Sequence, residues 1–263
     1  MRSRLRGPLE RALWGVYGRL YDSLLGFRPY RDLVEILVTA ADVRPGSAVL
    51  DVGCGTGNVL VEVLAREATA EVTGVDLSTA MLRRAEAKLP GRRLVLEDAC
   101  AFLNRVPDES FDRVVCSNVA YAVTDRSQLW REILRVLRSD GIAIISTPTR
   151  GGNRPIIREH LRYEGLTSLL RPGLVGVFII DSLISFVGNR GHFSFVPETQ
   201  VLLELEDAGA KVRWWTRCYG GAENGVNIAV SIEPRGARCP RSRHRVLGEG
   251  EGPEPGLGWL GDP

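Results

Sequence analysis

The chain has 263 residues, 25% of them charged and 44% hydrophobic, with a mean hydropathy of −0.04, which excludes a disordered chain and a polytopic membrane protein. Lys+Arg is 34 against Asp+Glu 32, so the net charge is +2 and no global field argues for a nucleic-acid backbone as partner. The five cysteines (Cys54, Cys100, Cys116, Cys218 and Cys239) form no C-x-x-C pair, which argues against a zinc site and a secreted disulfide framework; no metal is expected and a reducing, cytoplasmic compartment is.

The start is basic, but Glu10, Arg11 and Arg19 interrupt any apolar core, so it does not read as a secretory signal. An organelle transit peptide would suit the arginines, and Glu10 and Asp22 count against it. Residues 8–26 place Leu9, Leu13, Val16, Tyr17, Leu20, Tyr21 and Leu24 on one helical stripe. A second helix is predicted over roughly 30–41, closed by Arg44-Pro45-Gly46. Residues 1–44 are therefore read as N-terminal cap helices. Arg2, Arg4, Arg6 and Arg11 beside the stripe suit either peripheral contact with an anionic membrane or a plain solvated face.

From residue 47 strands and helices alternate. SAVLDV, EVTGVDL, RLVLEDA, FDRVVCSNVAY and IAIISTP contain strands; NVLVEVLAREA, TAMLRRAEAKL and SQLWREILRVLRSDG read as helices, the last ending in a turn. This rhythm implies right-handed crossovers and a mostly parallel sheet. It stops over 149–196, where the run 174–187 carries Asp181 as its one charge yet is too interrupted to span a membrane. It resumes with the helix PETQVLLELEDAG and the strands KVRWWTRCY and NGVNIAVSI, read as a closing antiparallel hairpin. The expected fold is α/β: a Rossmann-like, seven-stranded, mostly parallel sheet with helices on both faces, spanning 45–233 with 149–196 as a helical insert on the substrate side. Residues 234–263 carry seven Gly and five Pro and are expected to be a disordered tail.

VLDVGCGTGN is the informative segment. Asp51 ends an apolar strand, and Gly53, Gly55 and Gly57 let the backbone turn sharply and approach a ligand. The next helix aims its N-terminal N–H groups at that ligand. The dinucleotide fingerprint would want glycine or alanine at Asn58, so a nicotinamide oxidoreductase is disfavoured. Asp76 ends the next strand, where a carboxylate can accept from ribose hydroxyls, and Asp98 follows the third, where it can accept from an adenine amino group. Leu77, Met81 and Ala99 flank these acids and would sandwich a flat base. An acid after a strand also serves as a helix cap, and that plainer alternative stands for each one singly.

Together, VLDVGCGTGN, GVDLS, LEDA, FDRVVCSNVAY and WREILRVLRSDGIAIIS resemble the class I S-adenosylmethionine-dependent methyltransferases over about 47–147, and the hairpin extends the match to about 232. The resemblance implies S-adenosyl-L-methionine as cofactor. It sets Asp51 and Gly53 against the methionine amino group, and the turn through Cys54, Gly55 and Gly57 against its carboxylate. Asp76 would hold the ribose, Asp98 with the Ala99 backbone the adenine, and Asn118 would lie near the methionine part. LRSDG departs from the Pro-Gly-Gly turn of many relatives. The lead-in YDSLLGFRPYRDLV is similar to that of ubiquinone/menaquinone-type small-molecule methyltransferases, in which an N-terminal tyrosine covers the cofactor; Tyr17 or Tyr21 would do so, or both simply pack on the sheet.

A hydroxyl acceptor needs a base. His192, in NRGHFSF between the insert and the final helix, and Tyr121, after the fourth strand, are the candidates. His160 reads as solvated and His244 falls in the tail. CSNVAY lacks the Asn/Asp-Pro-Pro-aromatic motif of enzymes that methylate exocyclic base amines. The apolar run of the insert favours a lipophilic small-molecule acceptor (a polyketide, quinone or isoprenoid), with O-methylation preferred. An RNA or protein methyltransferase and a non-catalytic cofactor-binding assembly factor remain the alternatives; the residues do not decide the oligomeric state.

Overall fold

The computed structural model describes Gly18, residues 21–150, 154–170, Val175 and residues 195–236. The stripe residues Leu9 to Leu20, the run 174–187 apart from Val175, His192, His244 and the tail beyond 236 lie outside the described residues.

Short apolar runs of β-branched residues form the strands. They are β1 (Ala48–Val52), β2 (Glu71–Asp76), β3 (Arg93–Leu96), β4 (Phe111–Ser117), β5 (Leu137–Pro148), β6 (Ala210–Cys218) and β7 (Asn227–Pro234). They lie in the order β3-β2-β1-β4-β5-β7-β6, with β1 to β5 parallel and β7 antiparallel to both β5 and β6. The seven-stranded sheet and its antiparallel C-terminal pair are as the alternation predicts. Chain order reverses between β1 and β4, and in open α/β sheets the ligand crevice opens at the carboxyl ends of the strands at that point.

Side chains alternate across the sheet with period two and so feed two cores. Val49 and Ile144 face one side, with Leu33, Leu37 and Leu60 of helices α1 (Arg28–Ala41) and α2 (Asn58–Arg66). Leu50, Val52 and Ile145 face the other, with Phe102 of α4 (Ala99–Leu103), Trp130 and Ile133 of α5 (Arg126–Val136) and Val201 of α7 (Glu198–Asp207). Helix α3 (Thr79–Lys88) follows β2, capped by Ser78, whose hydroxyl accepts from the Met81 N–H.

Three local expectations need correction. Tyr21–Gly26 is a 3-10 helix, not the end of a long α-helix, because Gly26 and the following Phe27-Arg28-Pro29 start α1 afresh, with proline in its first turn. LRSDG does not close α5 with a turn. Leu137 is buried and pairs with Phe111, whereas Ile142 pairs with Arg113, so Arg138, Ser139 and Asp140 bulge out, exposed, from a continuing strand. Gly141 permits the tight fold-back, since a Cβ there would fall 2.5 Å from Leu137 Cδ2. The last strand also runs to Pro234, and the Arg235 N–H donates to the Gly209 carbonyl at 3.0 Å.

His160 is the fourth correction. It lies in α6 (Arg154–Glu164) and is fully buried, not solvated. Its Nδ1 accepts from the backbone N–H of Arg28 at 3.2 Å, and its ring packs 4.6 Å from that of Phe27. Phe27 offers α1 no side-chain cap, so a histidine far away in the sequence supplies one. Replacing His160 with alanine takes the acceptor from that part-buried N–H and opens a cavity. A loss of about 2–4 kcal/mol is expected, read as a lowered melting temperature.

Candidate active site

The glycine turn after β1 is held to β2 by its own backbone. The N–H groups of Gly53 and Cys54 both donate to the Val75 carbonyl, at 2.7 and 3.0 Å. Gly53 has φ +73°, and a methyl group there would stand 2.1 Å from Val119 Cγ2. Gly57, at φ +81°, is the N-cap of α2, and a Cβ there would meet Leu89 Cδ1 at 2.8 Å. No other residue type fits either position without moving its neighbours. The Cys54 thiol lies over Gly74, where a Cβ would stand 2.7 Å from it; burial raises its pKa and keeps it a thiol.

The three acids differ in what surrounds them. Asp76 Oδ2 accepts from the Gly55 N–H at 2.9 Å and Oδ1 from the Ser78 N–H at 2.8 Å, with the Leu77 N–H as a further backbone donor, so the carboxylate braces the turn. Burial raises its pKa. Asp98 is the N-cap of α4, its Oδ1 accepting from Cys100 and Ala101 N–H at 3.0 and 3.2 Å, and the plainer reading of a helix cap is realised there alongside any ligand contact. Asp51 is different. It is 1% exposed, neither carboxylate oxygen has a hydrogen-bond partner among the described residues, and burial, with a smaller push from the Asp76 charge, raises its pKa to about 8. A buried carboxylate without a partner is costly unless a cation or donor completes it.

Around these acids Leu77 is exposed, Ala99 half-buried and Met81 buried, with Gly18 lying against the Met81 sulfur. The Tyr21 ring approaches Gly55, its Cε1 3.9 Å from where a Cβ would stand, and meets Tyr30 edge-on with centroids 5.7 Å apart. Asn118, at φ +55°, follows β4; its N–H donates to the Ser146 carbonyl and its Oδ1 accepts from Asn227 Nδ2 at 2.7 Å. Tyr121 is half-buried, its ring stacked on Phe195 with centroids 5.8 Å apart. Phe195 is three residues beyond His192 in sequence, and its contact with Tyr121 brings it beside the residues that follow β4.

Several residues at the crevice were not legible in the motifs. Tyr30 is buried, its hydroxyl accepting from Asn58 Nδ2 at 3.2 Å, and burial raises its pKa to about 12. Asp22, Thr56, Asn58 and Lys88 form a cluster beside the turn. One signal was available: Lys88 is one of only two lysines in an otherwise arginine-based chain. The cradle as a whole suits a ligand that brings a cation to Asp51 and hydroxyls to Asp76, beneath an aromatic cover.

Residues 50–145 match the family described as "Methyltransferase domain". Phosphoethanolamine N-methyltransferase of Triticum aestivum is 30% identical over 53% of this chain, but that match spans only 27% of the wheat protein. Malonyl-[acyl-carrier protein] O-methyltransferase of Pseudescherichia vulneris is 30% identical over 210 residues, 78% of this chain and 77% of its own. The fold is shared with a TehB-like S-adenosylmethionine-dependent methyltransferase from Corynebacterium glutamicum, at a TM-score of 0.55 and 16% identity over 87% of this chain and all of that one. With the glycine turn, the strand order and a relative matched over three quarters of both chains, the protein belongs to the class I S-adenosylmethionine-dependent methyltransferases.

Proposed function

We propose that the chain transfers the methyl group of S-adenosylmethionine to an oxygen of a lipophilic small molecule of the polyketide, quinone or isoprenoid kind. The observation that carries the cofactor half is the buried Asp51 carboxylate at the foot of the glycine turn, without a hydrogen-bond partner among the described residues, which fits the ammonium of the methionine moiety. In this reading the backbone from Gly53 through Cys54 and Gly55 to Gly57 faces the methionine carboxylate at the start of α2. Asp76 accepts from the ribose hydroxyls. Asp98 and the Ala99 backbone read the adenine, which lies between Leu77 and Met81. Asn118 lies beside the methionine part and Tyr21 covers it. When bound, the sulfonium supplies an activated methyl group and a good leaving group. The chain's own work is to align the acceptor, exclude water and remove the acceptor's proton.

The acceptor half rests on the mouth of the crevice. Phe195 against Tyr121 lines the mouth of the crevice with aromatic surface, the apolar run 174–187 belongs to the same connection, and the Pseudescherichia relative is named for O-methylation. No helix among the described residues is long and apolar enough to cross a membrane. We place the enzyme in the cytoplasm, on the reducing chemistry that the four free cysteines among the described residues suggest.

The test is transfer of label from methyl-labelled cofactor to a panel of hydroxylated quinones, polyketides and isoprenoids, with RNA and protein fractions as parallel arms. Label in the small-molecule arm alone supports the reading; label in RNA or protein overturns it. Asp76→Ala should weaken binding of S-adenosylhomocysteine by roughly 1–3 kcal/mol in calorimetry, and unchanged affinity would remove Asp76 from the site.

A further inference from the structure

We propose that Lys88 is a positioning residue that locks the 3-10 helix Tyr21–Gly26 over the glycine turn and so closes the cofactor crevice; the inference rests on the cofactor reading above. Lys88 ends α3 and reaches three acceptors from three other parts of the chain. Its Nζ lies 2.5 Å from Asp22 Oδ1, 2.6 Å from Asn58 Oδ1 and 3.2 Å from Thr56 Oγ1. Asp22 is the neighbour of Tyr21, and its Oδ1 also accepts from the Thr56 hydroxyl at 2.7 Å. Thr56 lies within the glycine turn and Asn58 opens α2. Asn58 in turn donates to the Tyr30 hydroxyl, and Tyr30 is hydrogen-bonded to Tyr21. One ammonium therefore ties the lead-in, the turn and the tyrosine pair into a single unit. Asp22 is held from outside by Arg84 as well, at 3.7 Å.

The residue type supports the assignment. Of 34 basic residues only two are lysine, and one stands where three acceptors converge on a single point. An ammonium donates in three tetrahedral directions from one atom, whereas a guanidinium spreads its donors around a plane. Within the 3-10 helix Leu24 is the one buried residue, so the polar tie through Asp22 adds to a small apolar anchor. Gly18 against Met81 and Tyr21 against Gly55 place the same lead-in across both halves of the crevice.

The experiment measures affinity and dissociation rate of S-adenosylhomocysteine, together with melting temperature, for the wild type, Lys88→Met, Lys88→Arg and Asp22→Asn. Lys88→Met is expected to weaken binding about tenfold, mainly through faster release, because the cover opens. Lys88→Arg should keep the charge and fail to restore the slow release. The double variant Asp22→Asn/Lys88→Met should be no worse than the single ones, as expected of residues acting as a unit. Lys88→Met with a lowered melting temperature and unchanged release overturns the proposal and leaves a structural tie only. Slow release in Lys88→Arg overturns it too, since geometry would not matter. Should Lys88→Met fail to fold, Asp22→Asn carries the same comparison. A wild type that binds no S-adenosylhomocysteine overturns the cofactor reading and this proposal with it, whereas normal wild-type binding matched by the variants overturns this proposal alone.

Discussion

Replacing Asp51 with asparagine should weaken binding of S-adenosylmethionine by about 100-fold or more, and should stabilise the ligand-free chain at pH 8. Both effects come from one fact: this carboxyl is buried with no hydrogen-bond partner among the described residues. Its pKa is raised to about 8, by burial first and by the charge of Asp76 second. A carboxyl held near 8 in the native state and near 4 in the unfolded chain keeps its proton more tightly when folded. Its contribution to stability is therefore full below about pH 4 and is lost as the pH rises toward 8. Asparagine has no proton to lose, so the melting-temperature advantage of Asp51→Asn over the wild type should grow from pH 5 to pH 8. The ammonium of the ligand reverses the balance, because it favours the ionised carboxylate and pulls the pKa down. Binding at pH 7 should then release a proton, measurable by calorimetry in buffers of different ionisation enthalpy. A ligand that binds Asp51→Asn as tightly as the wild type, or binds the wild type without proton release, would show that Asp51 does not meet the cationic group.

The second large effect is expected in turnover. His192→Ala should lower the rate of methyl transfer to a hydroxyl acceptor by about 100-fold or more while leaving cofactor affinity intact. A hydroxyl must shed its proton as the new bond forms, and imidazole is the side chain best matched to that task near neutral pH. The structure narrows the choice of histidine. His160, on α6, is buried against α1 with Nδ1 accepting from the Arg28 N–H, which removes it as a base. His192 lies outside the described residues, but Phe195, three residues on, meets Tyr121 at the crevice. Tyr121→Phe is the parallel test, and a loss there with His192→Ala near wild type would move the role to the phenol. If neither change slows transfer, alignment alone suffices, and the acceptor is an amine, a thiolate or an acidic carbon instead of a hydroxyl.

Most of the framework was legible because it rests on local patterns. The strands announce themselves as short apolar runs between turn residues, and the glycine turn announces itself because glycine alone tolerates both the positive φ and the contact with Val119. The same local logic misread LRSDG, whose turn-forming residues bulge from a strand because burial of Leu137 against Phe111 outweighs their turn preference. It also misread His160. Its flanking Arg158, Glu159 and Arg162 are charged, and although Ile156 one turn back shares its buried face, the partner that accepts that face is α1, more than 100 positions away along the chain.

The chain's own pattern was enough to determine the α/β class, the closing hairpin and the turn that approaches the ligand, since each depends on residues within a few positions of one another. Only the tertiary structure decided which acid is left without a partner. Asp51, Asp76 and Asp98 look alike as acids at strand ends, yet among the described residues backbone donors reach two of them and none the first. Only the tertiary structure, too, joined Asp22, Tyr30, Thr56, Asn58 and Lys88, because hydrogen bonds between side chains from separate elements leave no periodic trace in the sequence.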